Sequence, residues 1–211
     1  MNNILLTVAI PSLPERMNGG LSRLFLKLQA QIGDQKDIEI LSIVDNRSMS
    51  IGKKRTRLFG IASGLYTCII DDDDDVSDDF VAVLRDAVVK AQNADVICYN
   101  QQATINGNVW IVKTNLNHNK KHPFDQLETN YKGEPVVCRR PPWHWCAWKT
   151  EFAKNIPFGD SNCHEDAIFV SQAANSAKTQ YVVDKTLCFY NESQTAFNPN
   201  LKIENINLVS L

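Results

Sequence analysis

The sequence predicts an α/β fold, a mixed sheet flanked by helices and followed by a smaller region of hairpin and loop. Three observations lead there. Short apolar runs alternate with amphipathic stretches over residues 1–100. Three of those apolar runs lead into polar loops, as strands of an open sheet do beside a ligand. Beyond residue 100 the pattern changes to turn signals, polar loops and clustered tryptophans.

Each element follows from its own residues. Ile4 to Pro11 is a continuous apolar run closed by a proline, which fits a strand buried on both faces. A turn-rich stretch over 12–20 precedes Leu21, Leu24, Phe25, Leu28 and Ile32, which recur at helical spacing. Ile38 to Val44 reads as a second strand, and 53–63 as a second helix ending at Gly64. Tyr66 to Ile70 is a third strand that runs straight into five aspartates. Phe80, Val81, Leu84, Val88 and Ala91 share one side of a helix over 78–93, and Val96 to Asn100 is a fourth strand. Asn106-Gly107 lies between two β-prone runs and predicts a hairpin. Residues 115–134 read as a long loop or lid, 165–177 as a helix, and Tyr181 to Val183 and Leu187 to Tyr190 as two closing strands.

Composition narrows the function classes. The chain has 211 residues, 44% hydrophobic and 22% charged, so it can bury a core without disulfides or metal, and disorder, collagen and coiled coil are excluded. A single domain is expected. No apolar run reaches about 18 residues, so no transmembrane segment is expected. Pro11 and Pro14 interrupt the first apolar run and no basic residue precedes it, which argues for a strand rather than a signal peptide and for a cytoplasmic protein. The six cysteines form no CxxC pair and mostly have apolar neighbours, so buried reduced thiols are expected rather than a zinc site. Residues 113–154 hold eight basic against four acidic residues and three of the four tryptophans, a stretch suited to an anionic or aromatic partner or to a solvated loop.

Three constellations carry chemistry. Asp71 to Asp75 place adjacent carboxylates at a strand end, a repulsion that a hard divalent cation relieves. Asp78 and Asp79 are explained instead by the start of the next helix, where negative charge is favourable. Lys53, Lys54, Arg55 and Arg57 crowd the unfavourable end of a helix dipole, and with free amide groups there they suggest a phosphate site. His164-Glu165-Asp166 opens a helix and offers a candidate general base, or merely helix-terminal charge.

Taken in order, VAIPSLPER, VDNRS, SIGKKRTRLFGIASGLYTCIIDDDDD and HEDAIF resemble the motif series of GT-A-fold glycosyltransferases, family 2-like, over about residues 4–190. The stretch RRPPWHWCAWKTEFAKNIPF with HEDAIF is similar to the acceptor half of small bacterial and phage-encoded members. The resemblance implies a GT-A (Rossmann-like) catalytic domain over 1–211, with a nucleotide-sugar-binding half (1–100) and an acceptor-binding half (101–211). It implies that Pro11, Ser12 and Arg16 line the nucleotide pocket and that Asp45 bonds the base. Lys54 and Arg55 approach the ribose or diphosphate, and Asp71 and Asp72 lie beside the nucleotide sugar. Asp73 holds Mn²⁺ or Mg²⁺, with the register in the aspartate run open by one residue. Asp166 is the implied catalytic base with Glu165 as substitute, and Trp143, His144 and Trp145 border the acceptor. The implied reaction moves one sugar, with inversion, from a nucleotide-diphosphate sugar (a UDP-sugar favoured) to a hydroxyl of a glycan, a lipid-linked saccharide or hydroxymethylated phage DNA. For a phage-encoded member the place is the host cytoplasm. A sugar nucleotidyltransferase is the rival enzyme, but no glycine precedes Gly19 in the first loop; a non-catalytic metal- or nucleotide-binding module is the rival non-enzyme.

Overall fold

The computed structural model describes residues 4–105, 107–118, 126–128 and 136–191, with backbone alone at 126–128 and 191. Strand β1 (Leu6–Ser12), wholly buried, is the centre of a parallel trio with β2 (Ile38–Val44) on one side and β3 (Tyr66–Ile69) on the other. Helices α1 (Ser22–Ile32) and α2 (Ile51–Ile61) make the crossovers, as apolar strands joined by amphipathic helices must. Strand β4 (Asp75–Val76) is two residues long, and α3 (Phe80–Lys90) returns to β5 (Val96–Ile105).

The second half builds on the same sheet. β6 (Asn108–Thr114) folds back on β5 as the predicted hairpin, with Gly107 at φ +77° in its turn. β7 (Gln126–Glu128) and β8 (Val136–Arg140) extend that edge. β9 (Ala147–Lys149) runs antiparallel between β3 and β5. It is followed by the single turn α4 (Thr150–Ala153), then α5 (Glu165–Ser176) and β10 (Gln180–Asn191). The strand order is β2-β1-β3-β9-β5-β6-β8-β7, with β10 pairing β4 and β5. The sheet is therefore mixed.

Three local expectations change. β9 sits where simple strand–helix alternation would pair β3 directly with β5. The two closing strands are one, β10, whose register slips near Thr186. Most of the loop expected over 115–134 lies outside the described residues, and its one described strand is β7.

The core holds the largest sealed side chains, among them Trp148, Tyr66, Tyr99, Phe59, Phe80, Phe158 and Phe169. Phe158 stacks on Phe169 at 4.2 Å and Phe59 on Phe169 at 5.6 Å, which clamps α5 against α2. That clamp sets the functional residues of both helices face to face. Five of the six cysteines are buried free thiols, as expected, and Cys163 is exposed.

Candidate active site

The carboxyl ends of β1, β2 and β3 open onto one cavity of about 410 Å³. Pro11 and Ser12 end β1, and the aspartate run leaves β3 beside them. Ser12 Oγ donates to Asp72 Oδ2 at 2.5 Å, and Arg16 Nη1 donates to Asp72 Oδ1 at 2.6 Å and to Asp73 Oδ2 at 3.0 Å. Burial raises the Asp72 carboxyl above its usual range despite the Ser12 and Arg16 bonds. Gly20 is required here by space: a Cβ on it would lie 2.1 Å from the Asp72 carbonyl oxygen.

The start of α2 differs from its expected role. Ile51 N donates to Asn162 Oδ1 at 2.9 Å, Gly52 N to the Ser161 carbonyl at 3.1 Å, and Lys53 N to the N-cap Ser50 Oγ at 3.2 Å. Lys54 N bonds the Ser50 carbonyl at 3.0 Å. Two of the first-turn amides are thus taken by a loop some 110 residues away and two by the N-cap Ser50, and no free amide cradle for phosphate is left. Gly52 allows this contact, since a Cβ there would meet the Gly159 carbonyl oxygen at 2.1 Å.

The two central cations of the helix also point inward. Lys54, 3% exposed, pairs with Asp45 and donates to the Ser12 carbonyl at 2.6 Å. Asp45 is held further by Met49 N at 2.8 Å and Ser48 Oγ at 3.0 Å, and although its burial pushes the carboxyl up, these partners hold it below its usual range. Its expected place on a nucleotide base is taken by these contacts, and Arg47 and Ser48 line the cavity beside it.

Arg55 is the hub. It is 5% exposed and gives Asp71 a two-pronged bond, Nη2 to Oδ1 at 2.8 Å and to Oδ2 at 2.6 Å, while Nη1 donates to Glu165 Oε1 at 2.6 Å. Burial alone would raise the Asp71 carboxyl, but the Arg55 guanidinium, with His144, holds it well below the usual carboxylate range. His144 Nε2 stands 3.8 Å from Asp71 Oδ2. Burial and the Arg55 charge push the His144 imidazole down, so it is neutral at neutral pH.

Behind this hub lies a second cavity of about 540 Å³, and Arg55 and Asp71 border both spaces. Its walls include Trp110, Trp143, His144, Trp145, Asp74 and Asp166. Trp143 and Trp145 are mostly buried, 6% and 4% exposed, so little of either faces the cavity. Glu165 borders it with its Oε1 engaged by Arg55. Asp166, half-buried, accepts among the described residues only a bond from the Ala167 amide at 2.7 Å and stands beside the junction. Asp74 lies just inside, 7% exposed, its carboxyl pushed well up by burial and by the Asp71 and Asp73 charges.

The architecture has known counterparts. The chain superposes on residues 1–349 of S. aureus TarS in complex with UDP, with a TM-score of 0.60 at 16% identity over 89% of this chain and 60% of that one. For the same protein in complex with UDP-GlcNAc the TM-score is 0.57 at 15% identity, over 89% of this chain and 58% of that one. The fold is of the GT-A type. This chain spans about 60% of the length of the TarS fragment. No protein-family model and no curated relative matches the sequence.

Within this GT-A fold, no group of three or more His, Cys, Asp or Glu among the described residues could hold a metal ion unaided. A Mg²⁺-like ion needs fewer, since it takes one or two carboxylates and completes its shell with substrate phosphates and water. Asp73 suits that donor set. Its side chain is 24% exposed at the cavity wall, whereas Asp72 is sealed and Asp71 is occupied by Arg55.

Residues to which the motifs gave no role complete the two spaces: Arg47, Ser48 and Asn162 in the first, Gln101, Trp110, Arg140 and Tyr190 in the second. Arg47 and Ser48 in VDNRS and Arg140 in RRPPWHW fell within quoted motifs. The others sit in ordinary strand and loop positions with no local peculiarity.

Proposed function

We propose that this chain is a glycosyltransferase that moves a single sugar from a UDP-sugar to a hydroxyl of a saccharide acceptor, with inversion. One observation carries the reading: two cavities, one at the strand ends and one lined by aromatics, meet at the Arg55–Asp71 pair with Asp166 beside the junction. A donor and an acceptor bound in such spaces bring their reacting atoms together there. The likeness to TarS, solved with UDP and with UDP-GlcNAc, supports UDP as the carrier.

Each residue then has a task. The nucleotide lies against Pro11, Ser12 and the Arg47–Ser48 loop. Asp73 holds a Mn²⁺ or Mg²⁺ ion, which supplies Lewis-acid neutralisation of the diphosphate. Arg16 and Arg47, the cavity cations with exposed side chains, face the same charge. Lys54 and Arg55 act one step removed: Lys54 fixes the Asp45 loop, and Arg55 fixes Asp71 at the junction. Asp166 takes the proton of the acceptor hydroxyl as its oxygen bonds to the anomeric carbon. The bond from that carbon to the diphosphate oxygen breaks in the same displacement, and UDP leaves. Glu165, engaged by Arg55, is a positioning residue for this pair. The half-buried Trp110, with Trp143 and Trp145 in the same cavity wall, gives an aromatic lining suited to a sugar ring.

The test is release of UDP from UDP-GlcNAc, UDP-glucose or UDP-galactose with Mn²⁺, in the presence of an oligosaccharide panel. The reading expects release with at least one donor, and Asp166→Asn abolishing it while UDP still binds. Release that survives Asp166→Asn unchanged contradicts the assigned base, and absence of UDP binding contradicts the function.

A further inference from the structure

Asp74 is the member of the aspartate run with neither a task in the mechanism nor a side-chain partner among the described residues. Its neighbours all have partners within the chain: Arg55 for Asp71, Ser12 and Arg16 for Asp72, Arg16 for Asp73, and Arg23 and Lys27 for Asp75. Asp74 is more buried than Asp71, Asp73 or Asp75, only 7% exposed, yet among the described residues no side chain or amide donates to its carboxyl. Its backbone is well fixed, with the amide bonded to the Asp71 carbonyl at 3.0 Å and the carbonyl accepting from Arg23 Nη2 at 2.6 Å. The turn therefore holds the side chain where it is, against the wall of the aromatic cavity.

A mostly buried carboxyl with no partner among the described residues lowers stability. An apolar side chain would serve better beside the sealed Cys188. A local rule broken in this way, at a cavity wall, points to a ligand that completes the missing bond.

We infer that Asp74 is a specificity-determining residue that binds a hydroxyl of the sugar carried by the nucleotide. The assignment rests on the donor reading above and deepens it. Position selects the donor sugar over the acceptor: Asp74 is one turn from Asp71, which borders both cavities, so it flanks the point where a group attached to the diphosphate crosses from one to the other. A carboxyl there takes one hydroxyl in a sugar-like geometry and leaves the nucleotide untouched.

The experiment compares dissociation constants of UDP, UDP-GlcNAc, UDP-glucose and UDP-galactose by titration calorimetry with Mn²⁺, for the wild type, Asp74→Ala and Asp74→Asn. UDP is the internal control, because it lacks the group Asp74 is assigned to hold. For at least one sugar, the ratio of the UDP-sugar constant to the UDP constant rises about 10-fold or more in D74A, as loss of a hydrogen bond to a mostly buried carboxyl requires. D74N changes the ratio in the same direction. UDP affinity stays within about 2-fold in both variants, and the melting temperature is unchanged or higher, because no internal bond is lost. Unchanged ratios for every sugar overturn the assignment, as does a fall in melting temperature with equal weakening of UDP and UDP-sugars, which marks a structural carboxylate. Failure of the wild type to bind UDP at all instead overturns the nucleotide-sugar reading, and this assignment with it.

Discussion

Replacing Arg55 by methionine removes the cation that serves two carboxylates at once. The side chain of Arg55 is 6% exposed and that of Glu165 is 7% exposed, so the Glu165 charge is left with neither partner nor water. Breaking a buried ion pair from one side costs about 3–5 kcal/mol. At about 2–4 °C per kcal/mol for a chain of this size, the melting temperature falls by roughly 6–20 °C. Asp71 contributes less to that loss, because its side chain is 28% exposed and keeps some hydration. Thermal unfolding followed by circular dichroism measures the shift. The double variant Arg55→Met/Glu165→Gln recovers part of it, since it removes the charge that Arg55→Met strands. A fall below 2 °C, or a double variant no more stable than Arg55→Met alone, refutes the hub described here.

Other changes give sharper local outcomes. Gly20→Ala drives a methyl into the Asp72 carbonyl, where the ideal position is 2.1 Å from the oxygen; a loss of about 1–3 kcal/mol and weaker UDP binding are expected, and calorimetry that finds UDP affinity unaltered would falsify the close packing. Asp166→Asn lowers turnover by about 10²- to 10⁴-fold, with the melting temperature nearly unchanged because among the described residues its carboxylate bonds only an amide of its own helix, at 2.7 Å. His144 sets an acid limit on stability: the unfolded imidazole takes a proton near pH 6.5, whereas the folded one takes it only at lower pH. The unfolded state therefore binds more protons in that window, and stability falls as pH drops below 6.5, by at most about 1.4 kcal/mol per pH unit. Denaturant titrations from pH 7 to pH 5 should show this slope, and His144→Gln should flatten it.

The strands were legible because their physics is local. Ile4 to Pro11, Ile38 to Val44 and Tyr66 to Ile70 are mostly apolar, and their polar ends meet because a parallel sheet brings its carboxyl ends to one side. Asn106-Gly107 announced its hairpin in the same local way. The insertion of β9 between β3 and β5 was not legible, since a three-residue strand has no period to read. At the site, the aspartate run stood out as a broken local rule, and Glu165-Asp166 as an acidic pair opening a helix. The basic start of α2 stood out too, but its meaning changed with partners far along the chain. Asn162 and Ser161 take its first two amides, and Glu165 and Asp71 turn Arg55 inward. No single-segment argument supplies those contacts. Likewise Trp143 and Trp145 read as a stacking surface, but Tyr99 packs on Trp145 at 5.4 Å and most of both rings serve the core.

The central claim is that UDP occupies the cavity at the ends of β1, β2 and β3, with its diphosphate directed at the Arg55–Asp71 junction. A crystal structure of the protein grown with UDP and Mn²⁺ tests this most directly. The account predicts the nucleotide between Ser12 and the Arg47–Ser48 loop, the metal on Asp73, and the diphosphate end facing the aromatic cavity. Nucleotide bound anywhere else, or with its diphosphate pointing away from Asp71, contradicts it.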